Sequence, residues 1–100
     1  MSIPYEKRQA VYKAAWDLYG SERQIWKVVE EMSELTKELA KLQSGGGATL
    51  GSVIDEITDV TIMMEQLRLM LGVNEAVQNH MDFKITRLAD RLGLPREVLE

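Results

Sequence analysis

Apolar residues recur at intervals of three and four along almost the whole chain and nowhere alternate over the length of a strand, which predicts an all-α fold of four helices. The first helix runs from about Pro4, a residue favoured in a first turn, to about Leu18, with Gly20 ending it. Ser21, with Gln24 three residues on, reads as a capping box that opens a second helix reaching about Leu42. The segment QSGGGATLG, residues 43–51, is too rich in glycine to stay helical and is read as a loop. Ser52 is the expected cap of a third helix that continues to Leu71 before Gly72. Asn74 is the expected cap of a fourth, which runs to about Leu92 before Gly93, and Pro95 begins a short tail. No internal repeat is visible, so residues 1–100 are read as one four-helix bundle domain.

The faces say how these helices pack. On the second helix Ile25, Val28, Val29, Met32, Leu35, Leu39 and Leu42 form one wide apolar face, as on a helix covered from one side. On the third, Val53, Ile57, Val60, Met63, Met64 and Leu67 form one apolar face, while Ile54, Ile62 and Leu69 form another. A helix apolar on two sides is buried on two sides, and four short helices do not cover both. The expectation is a homodimer or homotetramer with the third helix at the subunit contact.

Composition narrows the chemistry. The 45% of hydrophobic residues suits a soluble domain, and no stretch approaches the roughly 20 apolar residues of a membrane span. The first residues, MSIPYEKRQAVYK, lack an apolar signal-peptide run, so a cytoplasmic location and no membrane partner are expected. A formal charge of −4 speaks against nucleic-acid binding, which needs a broad basic surface. With no cysteine and a single histidine, His80, thiolate and multi-histidine metal sites are excluded, and any metal must be held by oxygen.

One residue breaks the apolar pattern. In VIDEITDVTIMM, residues 53–64, Glu56 projects within the arc of Val53, Val60, Met63 and Leu67, with Asp59 beside it on the same face. A carboxylate held out of water needs a cationic partner, a hydrogen-bond network or a metal ion. The second helix, an antiparallel neighbour across the loop, carries a matching pair, Glu31 and Glu34, with Glu30 adjacent. Four carboxylates converging from two helices repel one another unless a divalent cation lies between them, and oxygen-only donors suit Mg²⁺ or Mn²⁺. Taken alone, KVVEEMSELTKEL reads as a solvated face of Glu and Lys pairs; Glu56 tips the balance, because a solvated face does not contain it. A di-iron carboxylate bundle requires Glu-x-x-His on two helices, a motif the chain lacks.

The pattern E-x-x-E followed by E-x-x-D, standing here as EEMSE at 30–34 and EITD at 56–59, resembles the signature of the all-α nucleoside triphosphate pyrophosphohydrolases, the MazG-like superfamily. The likeness extends through YGSERQIWKVVEEMSELTKELAKL, IDEITDVTIMMEQL and KITRLADRL, and is similar to single-module bacterial and phage members along most of the chain. The resemblance implies Mg²⁺-dependent cleavage of a nucleoside triphosphate to monophosphate and pyrophosphate, often to clear non-standard or surplus nucleotides. It also implies dimers or dimers of dimers with sites at subunit contacts. Carried over residue by residue, Glu31, Glu34, Glu56 and Asp59 become the metal ligands, and Glu30 orients the attacking water or stands behind the ligands.

Such a reaction also needs cations for the triphosphate, since phosphoryl transfer is mostly positioning and charge neutralisation. On the fourth helix His80, Lys84, Arg87 and Arg91 form one stripe, with Lys84 and Arg87 the first candidates for phosphate contacts. Without the acidic motif the same stripe reads as a solvated basic face. Leu88 stands where some branches of the family carry an Asn one turn after the Lys. Tyr12, Trp16 and Tyr19 form an aromatic stripe on the first helix, and Trp26 shares a face with Glu30 and Glu34. Trp16 and Trp26 are the leading candidates to stack on a base, against the alternative of core packing, which is also the reading for Phe83. Two further readings stand beside this one. Phosphoribosyl-ATP pyrophosphohydrolase has a similar acidic layout, although SERQIWKVV looks closer to the MazG-like branch, and a non-enzymatic helical interaction module would use the acids structurally.

Overall fold

Pro4 and Gly20 fix the limits of the first helix. In the computed structural model, which describes residues 1–100, Pro4 is the N-cap, its carbonyl accepting from the Lys7 and Arg8 amides at 3.0 and 3.1 Å, and helix α1 spans Tyr5–Tyr19. Gly20, at φ 89° and ψ 152°, closes α1 through its N–H to the Trp16 carbonyl and serves as N-cap of α2, Ser21–Ser44. Only glycine adopts that backbone without strain. Because the junction is a single residue, Ser21 already lies in the first turn of α2 and the expected Ser21 capping box does not form. At its other end α2 continues past Leu42 to Ser44. It stops at Gly45, φ 74°, where the Gly46 N–H bonds the Lys41 carbonyl at 2.7 Å.

Helix α3, Leu50–Met70, begins earlier than the glycine-rich sequence suggests. Its N-cap is Thr49 rather than Ser52: Thr49 Oγ1 accepts from the Ser52 amide at 3.0 Å and Ser52 Oγ accepts from the Thr49 amide at 2.9 Å. Ser52 thus fills the third position of a reciprocal box. Its hydroxyl also donates to Glu38 Oε1 at 2.7 Å, which ties α3 to α2. Helix α4, Asn74–Arg91, follows a short turn with Val73 as N-cap, so Asn74 does not cap it; the Asn74 amide instead donates to the Tyr5 hydroxyl at 3.2 Å. A 3-10 turn, Arg96–Leu99, ends the chain, and there is no strand.

Helices α2 and α3 form the main packed pair, α1 lies across both, and α4 leans on α3 without comparable packing against α2. Tyr12, Val28, Val53, Met63 and Ala89 are buried, with the amides of Gln24 and Gln66 among them. These are 7 residues of 100, too few for a self-sufficient core. Most of the predicted α2 face is uncovered, with Ile25, Val29, Met32, Leu39 and Leu42 exposed and Val28 buried. On α3, Val53 and Met63 are buried while Ile54, Ile57 and Ile62 are exposed. The radius of gyration is 16.8 Å, whereas a compact domain of this length has about 13 Å. No helix is long and apolar enough to cross a membrane.

Candidate metal centre

The Glu38–Ser52 bond near the loop fixes the register of the antiparallel α2/α3 pair, and two turns further from the loop it brings Glu31 opposite Glu56 and Asp59. On α3 those two acids are three residues apart, hence neighbours on one face. One carboxylate oxygen from each of Glu31, Glu56 and Asp59 lies within 4.8 Å of the others, and all three residues are half-buried. Lys27, one turn before Glu31 on α2, places Nζ 3.1 Å from Glu31 Oε1 and 3.6 Å from Glu30 Oε1. The Glu31 side chain is 14% exposed and that of Glu30 62%, so Lys27 bridges the inside of the cluster to solvent.

Partial burial raises the proton affinity of Glu56 above the usual carboxylate value, and the charges of Asp55, Asp59, Glu34 and Glu31 add to it. Asp59 is raised likewise, first by burial and then by Glu31 and Asp55, with Lys27 acting in the opposite direction. Lys27 holds its own proton more tightly, chiefly through its bond to Glu31. Glu56 and Asp59 are therefore short of positive charge. Two oxygens on one octahedral ion with bonds of about 2.1 Å lie at most about 4.2 Å apart, so small side-chain movements bring the trio into one coordination sphere. A hard divalent cation fits this donor set, which contains neither sulfur nor nitrogen.

The remaining candidates are more scattered. Glu34 is exposed and outside the trio, although its charge still reaches Glu56. Glu30 is exposed beside Lys27. On α4, His80 and Lys84 flank a shallow apolar groove with Met81, Ile85 and Leu88, Arg87 lies 5.7 Å from the centre of the Phe83 ring, and Arg91 is in the last turn. None of these four cations is among the main influences on Glu56 or Asp59. Trp16 is half-buried and Trp26 is 64% exposed.

Sequence reasoning missed three features. Lys27 was detectable from its i, i+4 relation to Glu31. Asp55, next to Glu56, adds to the local negative charge. The third is a groove of about 730 Å³ between α1, α2 and α3, lined by Tyr12, Tyr19, Gln24, Trp26, Met63 and Gln66 and edged by Lys27 and Glu30. One side of it is braced by an ion-pair network. Arg8 donates to both oxygens of Glu65, at 2.9 and 3.0 Å, and the Tyr12 hydroxyl also donates to Glu65. Arg8 and Tyr12 hold the Glu65 carboxyl below its ordinary range, and burial, with Glu65 beside it, pushes the Tyr12 phenol up to about 12.

No protein-family model, curated protein or solved structure matches the chain.

Proposed function

We propose that the protein is a divalent-metal-dependent nucleoside triphosphate pyrophosphohydrolase of the MazG-like kind, working in nucleotide-pool house-cleaning. The observation that carries this reading is the convergence of Glu31, Glu56 and Asp59 across the α2/α3 contact. Bound there, Mg²⁺ or Mn²⁺ supplies neutralising charge at phosphate oxygens and a more acidic water. Glu31, Glu56 and Asp59 would hold the ion, and Glu34, one turn along α2 from Glu30, would join them by a change of rotamer. Glu30, exposed and 3.6 Å from Lys27, orients the attacking water and accepts its proton. Lys84 and Arg87, flanked by His80 and Arg91, steady the triphosphate. Because α4 is not packed on α2 within the chain, this assignment places them across a subunit contact in a homodimer or homotetramer. Trp26 and Trp16 are the aromatic candidates beside the nucleotide.

The test is to incubate the purified protein with a panel of standard and modified nucleoside triphosphates and Mg²⁺, and to measure pyrophosphate against orthophosphate. Monophosphate with pyrophosphate, lost in EDTA and in Glu56→Ala, is the expected result. No turnover of any nucleotide would replace the hydrolase with the helical interaction module.

A further inference from the structure

Gln66, on α3, is 3% exposed; its Nε2 donates to the Tyr12 carbonyl at 3.2 Å, while its Oε1 has no hydrogen-bond partner. A buried amide acceptor left unpaired is costly, and such atoms in folded proteins call for an explanation. Gln66 lines the groove between α1, α2 and α3, as do Gln24, itself 8% exposed, and the rings of Tyr12, Tyr19 and Trp26. A mostly apolar groove with a few fixed polar groups is the usual form of a small-molecule site. Its rim carries Lys27, which is 3.1 Å from Glu31, so it opens onto the edge of the carboxylate cluster.

We infer that this groove is a nucleobase subsite in which Gln66 Oε1 accepts a hydrogen bond from an N–H on the base edge. The inference rests on the nucleotide reading above for the identity of its ligand. A base offers what the groove lacks: a flat π-face for Trp26 or Tyr19, and an in-plane N–H donor for Gln66. Gln24 supplies a second amide with which to read the adjacent edge position. The terminal torsion of glutamine is soft, so Gln66 tilts toward a ligand while staying in its rotamer well. A helix from a second copy is a poorer occupant, because its backbone N–H groups are already bonded within the helix. A site built to pair a substrate N–H rejects an analogue that lacks it, which makes Gln66 a specificity-determining residue.

The experiment titrates the full chain in EDTA with nucleoside monophosphates, with the same monophosphates methylated on their base N–H groups, and with ribose 5-phosphate, reading tryptophan fluorescence. The standard monophosphates should quench, ribose 5-phosphate should not, and N-methylation should weaken binding at least tenfold. Gln66→Met, close in volume and without the orphaned oxygen, should weaken the standard monophosphates by a similar factor. It should still unfold cooperatively and keep the Mg²⁺-induced thermal shift of the parent protein. Equal quenching by ribose 5-phosphate, or unchanged affinity in Gln66→Met, would overturn the subsite. Pyrophosphate production with the same KM in Gln66→Met and parent would overturn the subsite alone. Base binding without any pyrophosphate production would support the subsite and count against the hydrolase alone.

Discussion

Lys27 Nζ stands 3.1 Å from Glu31 Oε1, so the chain sets one cation of its own at the edge of a cluster of three acids. That ion pair neutralises Glu31 in part and leaves Glu56 and Asp59 without a comparable partner; burial first, and then the neighbouring acids, make both hold protons more tightly than usual. Lys27 and a divalent ion bound at this cluster would therefore act on the same negative charge. Lys27→Met should lower the melting temperature in EDTA by a few degrees, since the Lys27 side chain is 47% exposed and such a pair contributes about 1 kcal/mol or less. The same variant should show a larger Mg²⁺-induced rise in melting temperature than the parent. A smaller rise would mean that Lys27 does not share charge with the metal.

In the proposed metal site, Glu56 and Glu34 distinguish an inner ligand from a residue outside the trio. Glu56→Gln removes a charge from a crowded cluster, so it should unfold at a higher temperature than the parent in EDTA. Added Mg²⁺ should bring little further stabilisation, and nucleotide turnover should fall more than about 100-fold, beyond what loss of a supporting residue typically costs. Glu34→Gln, at an exposed position outside the trio, should keep most of the metal-induced stabilisation. Melting curves of the two variants with and without Mg²⁺ check both statements. Equal losses in the two variants would place Glu34 fully inside the coordination shell.

The raised proton affinities of Glu56 and Asp59 set a sign for pH dependence. Between their ordinary values of 4.5 and 3.8 and the higher values of the folded state, the folded protein binds more protons than the unfolded chain. Stability in EDTA therefore falls as pH rises through that window. A divalent ion competes with those protons, so its stabilising effect should be small at pH 4 and should grow once the acids are ionised. Denaturant midpoints with and without Mg²⁺ across the carboxylate range measure this directly. A metal effect independent of pH would rule out Glu56 and Asp59 as its ligands.

Much of this was legible in the sequence, and the failures have physical causes. Periodicity located all four helices because each carries an apolar stripe. It misplaced the start of α3 because Gly51, in the first helical turn, extends a glycine-rich run, and because Ser52 resembles a cap while serving as the third residue of a box led by Thr49. Glu56 was recognisable because a charge within an apolar arc has few innocent explanations. Glu34 lies outside the trio because a residue three positions from Glu31 is turned about 60° around the helix, enough to take it from the α3 contact to solvent. Gln66 left no signal, since whether a glutamine is buried and half-satisfied depends on the α1 carbonyl it meets, which spacing does not encode.

Arg8, Tyr12 and Glu65 join α1 to α3 through one carboxylate. Glu65 is held below its ordinary value of 4.5, so its contribution is present above that pH and is lost as pH falls through the depressed value. Tyr12 is raised to about 12 from 10.0, so its contribution is complete below pH 10.0 and is lost as pH rises toward about 12. The Arg8 and Glu65 side chains are 36% and 30% exposed, so solvent screening keeps the contribution of the pair small. Glu65→Gln should lower stability modestly at pH 7 and by much less at pH 3. Tyr12→Phe, which leaves a charged acceptor short of one donor, should cost about 1–2 kcal/mol at pH 7. Urea midpoints of the parent and both variants provide the measurement, and a Glu65→Gln deficit that persists unchanged at pH 3 would assign the effect to packing rather than charge.

Exposed apolar side chains scattered singly over a protein need no explanation, but here they form continuous stripes on several helices. Met81, Ile85 and Leu88 run along α4, Ile25, Val29 and Met32 along α2, and Ile54 and Ile62 along α3, each more than 40% exposed. The radius of gyration of 16.8 Å, against about 13 Å for a compact chain of this length, describes helices held apart rather than gathered around one core. A second copy would supply the missing cover, since a stable dimer needs about 800 Å² from each partner and these stripes offer apolar surface on three elements. The protein should therefore sediment as a dimer or tetramer of the 11.4 kDa chain over a wide concentration range. Ile85→Asp combined with Leu88→Asp, both exposed within the chain, should leave its own helices formed yet shift the mass toward monomer. If Lys84 and Arg87 work on a neighbour's carboxylates, the same double variant should lose nucleotide turnover while retaining Mg²⁺ binding at Glu31, Glu56 and Asp59. A monomer mass for the parent at every concentration would instead require α4 to fold back onto α2, and the basic stripe would then have to reach the acids within one chain.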